Sequence, residues 1–286
     1  MGLTIPYRRF SGRLQQKDEL NEERQTSAEN LWSFYNYLKK LSNQKELLAN
    51  LELDEFKSDL DKKLYFQSNI PQGYGVGSSG AICAAVFDAY STNKFDMDEE
   101  LCLPELKQIF AQMESYFHGV SSGLDPLNSY LKRALLIHNK EQLKVVDNPG
   151  RSLKDKLTVF LIDTKVSGET EQLVNIFFDK CRHYKYYKEI KNKLIPLNNA
   201  CIELFMHGEA DAFINTVKKL SLFFYEHFKP MIPASFIDPW EKGISKNIYS
   251  LKLCGSGGGG FMLGFTTDFE ATINEFPNDN IQKLEL

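Results

Sequence analysis

Gly73, Gly75 and Gly77 alternate with other residues and lead into Ser78, Ser79 and Gly80, a run suited to holding phosphate. Without Cβ atoms, the peptide N–H groups can close on anionic oxygens. A helix that starts at the serines adds the positive end of its dipole. The serine hydroxyls can cap that helix or ligate a magnesium ion. Further on, Glu114 precedes His118-Gly119 and Ser121-Ser122-Gly123-Leu124-Asp125. Of two carboxylates around one loop, one can hold a metal and the other take a proton. Late in the chain, Gly257 to Gly260 form a tetraglycine between two apolar runs. Such a run costs conformational entropy and packs nothing, so its expected use is close approach to a ligand or another backbone.

Each of these features has a competing reading. Gly75, Gly77 and Gly80 also satisfy the Gly-x-Gly-x-x-Gly pattern of dinucleotide-binding folds, which needs a strand ending in an acid about 20 residues on. Asp96 and Asp98 lie near that distance but follow the polar turn Ser91 to Lys94 with no β-rich run, so the dehydrogenase reading is incomplete. No Gly-Lys-Ser or Gly-Lys-Thr occurs, which excludes a Walker-type loop. Neither His-Arg-Asp nor Asp-Phe-Gly occurs, which argues against a protein kinase. Asp125 stands before Pro126 and can be a turn starter, and Glu114 can be a solvated helical acid. His118 is read as shaping its loop.

The elements that must position these residues are legible in part. Leu64, Phe66 and Ile70 alternate as a strand entering the glycine run, and Ala81 to Ala89 reads as a buried helix leaving it. Leu3 to Leu14 is read as a strand, and Leu31, Phe34, Tyr35, Leu38 and Leu41 as a helix face. A helix over Leu103 to Phe117 delivers Glu114 near its end, with a loop from His118 to Asp125. Short strands follow at Ala134 to His138 and at Val145 and Val146, and Asp147 to Gly150 punctuates the chain. A strand over Leu157 to Ile162, helical spacing to about Phe228, and strands at Ile248 to Leu253 and Phe261 to Phe265 complete the pattern. Phe223, Phe224 and Tyr225 are assigned to a packed helix face. The expected domains are 1–150 and 151–286, since 286 residues are comfortable for two cores.

The bulk numbers exclude several classes. Hydrophobic residues at 42% and charged residues at 25% are ordinary globular values. A net charge of −4 gives no general attraction to nucleic acid or anionic membrane, so phosphate recognition must be local. The five cysteines are scattered without Cys-x-x-Cys spacing, arguing against disulfides and zinc and for a reducing cytoplasm. No stretch has the apolar length of a membrane span or a signal peptide.

Together the three segments resemble the GHMP kinases, the family of galactokinase, homoserine kinase, mevalonate kinase and phosphomevalonate kinase. Pro71 to Ala81 resembles the family's Pro-x-Gly-x-Gly-Leu-Gly-Ser-Ser-Ala loop, with Val76 for Leu and Gly80 for the first Ala as two mild changes. Lys252 to Gly260 resembles Lys-Leu-Thr-Gly-Ala-Gly-Gly-Gly-Gly, with Cys254 and Ser256 as small replacements. The middle segment is similar to the Glu and His-Gly-x-Pro-Ser-Gly-x-Asp of mevalonate kinases, through Glu114, His118, Gly119, Ser122, Gly123 and Asp125, with Ser121 in place of Pro. Ile162 to Lys165 with Thr170, Leu173 and Val174 resembles the stretch that opens the family's second domain, with Gly168 in place of the usual Arg.

The resemblance implies an α+β, two-domain GHMP kinase fold, with a left-handed βαβ phosphate-loop unit in the N-terminal domain and a ferredoxin-like C-terminal domain. By carry-over the backbone of Gly73, Tyr74, Gly75, Val76, Gly77, Ser78 and Ser79 cradles the phosphates of ATP, Ser79 and Glu114 hold Mg2+, and Asp125 is the catalytic base. Gly257 and Gly258 are implied as nucleotide contacts. The implied reaction phosphorylates a small-molecule hydroxyl, mevalonate first, in isoprenoid precursor synthesis. Phosphomevalonate, and an inactive nucleotide-binding member of the fold, are the rivals. No nucleic acid or membrane partner is implied, and a homodimer is allowed. Family members carry a lysine-bearing first strand upstream of the segment that Gly2 to Pro6 resembles, which is expected to lie before Met1 in a longer chain.

Overall fold

The computed structural model describes residues 1–286 except 8, 72, 73, 75, 93, 94, 96–101, 140, 148, 168, 169, 277–280 and 286, and the side chains of 170–172. Gly73, Gly75, Asp96, Asp98 and Gly168 therefore lie outside the described residues. The chain divides into two compact units: residues 4–71 with 77–146, and residues 1–3 with 72–76 and 147–286.

The first of these units holds most of the amino-terminal half. The expected single strand over Leu3 to Leu14 is instead two, β1 (Gly2–Thr4), of which Gly2 and Leu3 belong to the other unit, and β2 (Gly12–Gln16). Pro6 has no N–H for a ladder, and a turn closed by Phe10 N–H donating to Tyr7 O at 3.1 Å breaks the run. Helix α1 (Glu22–Gln44) starts where Asn21 Oδ1 accepts from Arg24 N–H at 3.0 Å, and it buries Ala28, Leu31, Phe34, Tyr35 and Leu38 on one face. Helix α2 (Leu53–Asp61) has no counterpart among the elements expected from sequence; it is short, and its Leu53, Phe56 and Leu60 face the core. Strand β3 (Leu64–Ser68) pairs antiparallel with β2, Leu14 opposite Phe66, and leads to the glycine run.

Beyond that run come α3 (Ser78–Tyr90), α4 (Leu103–His118) and α5 (Leu124–Leu131), with α3 lying against both of the others. The expected loop from His118 to Asp125 is shorter than that, because Gly123 in the left-handed region starts α5 and puts Asp125 in its first turn. The hairpin of β4 (Ala134–Ile137) and β5 (Leu143–Val146) closes the unit, Leu135 opposite Val145. Phe34, Phe56, Phe87, Leu106 and Phe110 are fully buried in its core. Each such side chain stabilises the fold by roughly 1.5–3 kcal/mol.

The other unit is built on one antiparallel sheet. Strand β6 (Thr158–Asp163) is followed by α6 (Thr170–Cys181), α7 (Tyr184–Glu189), α8 (Ile195–His207), α9 (Ala210–His227) and α10 (Ile237–Lys246). A π-turn over Ile190–Leu194 joins α7 to α8, where Pro196 has no N–H to continue the regular ladder. Then come β7 (Tyr249–Leu253), β8 (Phe261–Thr266), α11 (Phe269–Glu275) and β9 (Ile281–Lys283). The strands lie in the order β7-β8-β6-β9 with every neighbour antiparallel. Helix follows the first strand and precedes the last, which is the ferredoxin-like arrangement. Trp240 is fully buried in this unit, its Nε1–H donating to Ser221 Oγ at 3.0 Å.

Candidate active site

Helix α3 begins at Gly77, whose φ of +77° lies in the left-handed region and whose missing side chain leaves the helix start without a side-chain cap. The first-turn amides of a helix have no helical acceptors, and here they belong to Ser78, Ser79 and Gly80. That is an anion-binding end. One turn into the site, the buried Ser79 meets α4. Ser79 Oγ–H donates to Glu114 Oε1 at 2.9 Å, and His118 Nε2 lies 2.9 Å from the same oxygen. A serine has one proton, and it is given to Glu114, so His118 is the donor in the second contact, in the Nε2–H form. Glu114 and His118 are one helical turn apart on α4, which puts both on the face that α3 covers.

Glu114 is only 4% exposed. Its second oxygen, Oε2, accepts from Ser121 Oγ–H, and Ser121 Oγ in turn accepts from Gly123 N–H at 3.0 Å. The residue that replaces the family's proline thus ties the loop between α4 and α5 to the buried carboxylate. Burial pushes up the Cys83 thiol, one turn along α3 from Ser79, and the Glu114 charge adds to the rise. Cys83 is an inert core residue here.

Asp125 is exposed, yet protein surrounds it closely enough that desolvation holds its carboxyl above the ordinary range. The Glu114 charge raises it further, and His118 acts against both. The position of Asp125 depends on Gly80. A Cβ on Gly80 would stand 2.7 Å from Pro126 N and 2.8 Å from the Asp125 carbonyl carbon, closer than real Cβ contacts occur. The backbones of α3 and α5 touch at this point. The Gly-for-Ala change at 80, read from sequence as mild, is therefore a steric requirement. On the same side of α3, a Cβ on Gly77 would lie 3.5 Å from Asp125 Cβ.

The site residues expected from sequence divide in two. Gly77, Ser78, Ser79, Glu114 and Asp125 gather within one unit, joined by His118 and Ser121. Tyr74, Val76, Gly257 and Gly258 belong to the other unit. There Gly257 N–H donates to Cys254 O at 3.1 Å and Gly258 N–H to Met231 O at 2.6 Å, so these two amides are engaged by protein carbonyls. The one-turn spacing of Glu114 and His118 was a usable sign that His118 joins the site. Nothing local marks Ser121.

The donor set can be tested against magnesium. Octahedral Mg2+ with ligands at about 2.0–2.1 Å sets neighbouring oxygens about 2.9 Å apart. Ser79 Oγ and Glu114 Oε1 are 2.9 Å apart, both hard oxygens. Among the described residues no three His, Cys, Asp or Glu side chains gather as a metal site. Two protein ligands suffice for Mg2+, which keeps several waters and shares phosphate oxygens.

Comparison with known proteins bears on the fold and on the span of chain that carries these residues. Residues 36–132 match the sequence model of the GHMP kinases N terminal domain, a span that contains Gly77, Ser79, Glu114 and Asp125. Mevalonate kinase of Dictyostelium discoideum is 23% identical over 236 residues, covering 74% of this chain and 59% of that protein. The chain thus spans about three fifths of that relative's length. In structure, L. major mevalonate kinase in complex with R-mevalonate superposes with a TM-score of 0.60 at 13% identity, covering 94% of this chain and 82% of that one. Streptococcus pneumoniae phosphomevalonate kinase in complex with phosphomevalonate and AMPPNP gives 0.59 at 11% identity, covering 96% and 89%. The chain has the fold of these kinases, and its residues 36–132 match the model of the GHMP kinases N terminal domain. Its curated relatives are mevalonate kinases.

Proposed function

We propose that the protein transfers the γ-phosphoryl group of ATP to a small-molecule hydroxyl, with mevalonate the first candidate substrate. The observation that carries this reading is the buried Ser79–Glu114 pair, spaced as one edge of an octahedral cation site beside the helix start at Gly77 and the carboxylate of Asp125. The mevalonate kinase relatives support the substrate class.

Phosphoryl transfer needs in-line positioning and charge neutralisation more than covalent chemistry. The first-turn amides of α3 would hold phosphate oxygens, with the helix dipole favouring the negative charge. Ser79 Oγ and Glu114 Oε1 would hold Mg2+, which when bound neutralises phosphate charge. His118 and Ser121 keep the serine and the carboxylate in place. Asp125 would accept the proton of the substrate hydroxyl as its oxygen forms a bond to the γ-phosphorus and the bond from that phosphorus to ADP breaks. Its raised proton affinity suits a base that must take a proton, and its exposure leaves it open to substrate.

The test is ADP release from the purified chain, coupled to a spectrophotometric assay, with mevalonate, phosphomevalonate and homoserine supplied separately. Turnover with mevalonate above the other two is the expected result. Nucleotide binding with no turnover on any of the three would leave a nucleotide-binding member of the fold and overturn the kinase reading.

A further inference from the structure

Ser121 stands where the family pattern has a proline, and its hydroxyl is engaged on both sides. Its Oγ–H donates to Glu114 Oε2, and Oγ accepts from Gly123 N–H at 3.0 Å. The directions are fixed, because a peptide N–H can only donate and a carboxylate can only accept. Gly123 cannot drift from this contact. It is buried against α4, where a Cβ would stand 2.1 Å from Lys107 O and 2.7 Å from Ala111 N. Ser121 is thus anchored on main chain packed against the same helix that carries Glu114.

The two oxygens of Glu114 therefore have separate partners. Oε1 accepts from Ser79 Oγ–H at 2.9 Å, and Oε2 accepts from Ser121. Ser79 Oγ also accepts from His118 and keeps one lone pair, as does Oε1. A cation on the edge between Ser79 and Glu114 finds one carboxylate oxygen there. Mg2+ is suited to that, since it takes about six ligands at about 2.0–2.1 Å and keeps several as water. Ca2+ takes about 6–8 oxygens at about 2.3–2.6 Å and is well served by a bidentate carboxylate. For both oxygens of Glu114 to face a cation on this edge, the carboxylate has to turn, and turning breaks the bond from Ser121.

We propose that Ser121 is a positioning residue that sets cation selectivity: by holding Oε2 it keeps Glu114 a one-oxygen ligand and favours Mg2+ over Ca2+. The proposal rests on the cation role given to Ser79 and Glu114 above. It is particular to a chain with a hydroxyl at this place, since proline has nothing to donate to the carboxylate.

The experiment uses the full chain and its Ser121→Ala, Ser121→Thr and Glu114→Gln variants, with and without AMPPNP. Bound Mn2+ is read by its enhancement of water proton relaxation, and the part lost in Glu114→Gln is counted as the site. Mg2+ and Ca2+ then displace that Mn2+ in separate titrations. The unaltered chain should need about 10-fold more Ca2+ than Mg2+, or a larger excess. Ser121→Ala should lower this ratio by about 10-fold, because the loss falls on Mg2+ while Ca2+ gains the second oxygen; Ser121→Thr, which keeps the hydroxyl, should stay within about 3-fold of the unaltered ratio. A merely structural role would weaken both cations alike and leave the ratio where it was. An unchanged ratio in Ser121→Ala, a ratio in Ser121→Thr as low as in Ser121→Ala, or no Glu114-dependent Mn2+ with or without AMPPNP would each overturn the proposal. Mn2+ held at Glu114 by a chain that does not bind AMPPNP counts against the kinase reading instead, and the titrations without nucleotide still decide the selectivity.

Discussion

Gly80→Ala separates what the family pattern implies from what this structure requires. The pattern has alanine at that place, and alanine is about 1 kcal/mol better than glycine inside a helix, so resemblance alone predicts a stabilised, active variant. The structure predicts otherwise. The new Cβ would meet Pro126 N at 2.7 Å and the Asp125 carbonyl carbon at 2.8 Å. Both are backbone atoms of α5, so no side chain can swing away. Opening 2.7 Å to an ordinary 3.4 Å contact moves the first turn of α5 by about 0.7 Å. Overpacking of this kind costs about 1–3 kcal/mol, against about 1 kcal/mol gained in helix propensity. The net of about 0–2 kcal/mol should lower the melting temperature by up to about 8 °C, at about 2–4 °C per kcal/mol for a domain of this size. Turnover should suffer more, because Asp125 rides on the displaced turn. A displacement approaching 1 Å costs on the order of 10- to 100-fold in rate. The assays are ADP release and thermal unfolding of the same preparation. A variant that melts higher than the unaltered chain and turns over as fast would refute both the close approach and the role given to Asp125.

Glu114→Gln keeps the hydrogen bond from Ser79 but removes the charge facing the cation, and should raise the Mg2+ concentration needed for half-maximal nucleotide binding by at least 10-fold, read by titration calorimetry. Ser121→Ala leaves Glu114 Oε2 without its hydroxyl donor and should raise the same Mg2+ requirement by about 10-fold, with Ser121→Thr restoring most of it. Asp125→Asn should abolish ADP release while sparing nucleotide binding, and it also carries a signature in stability. The folded-state carboxyl is held above its unfolded value, so its contribution is fully present below the unfolded value of about 3.9 and is lost as pH rises through the folded one. The metal-free Asn variant should therefore melt above the unaltered chain at pH 7, with the gap closing near pH 4; equal melting temperatures at pH 7 would count against the crowding at Asp125.

Much of the site was legible as sequence because chemistry imposes residue types locally. A phosphate loop needs glycines followed by hydroxyls at a helix start, and Gly77, Ser78 and Ser79 stand there in order. Glu114 sits late in a periodic helix, and the alternation of β6, β7 and β8 marks a sheet. Other features left no local mark. The helix α2 is only nine residues, too short for its period to stand out from its surroundings. Pro126 suggested a turn at Asp125, but a proline near a helix start is compatible with helix, and Gly123 made one. Proline within Leu3 to Leu14 pointed the other way and broke a strand that apolar spacing suggested.

What the sequence by itself determined is the set of candidate site groups and their order along the chain: the glycine run, the serine pair, two carboxylates and a late glycine turn. Those follow from residue type and short-range spacing, and they were enough to reach the GHMP kinases. Tertiary structure alone decided which of these groups meet and what each contact permits. Ser79 finds Glu114 and His118 across 35 and 39 residues, Ser121 closes the second oxygen of Glu114, and Gly80 fits because α5 passes too close for a methyl group. Each depends on how helices pack at contact distance, where a few tenths of an ångström decide between a bond and a clash, and no local pattern in the chain encodes that distance.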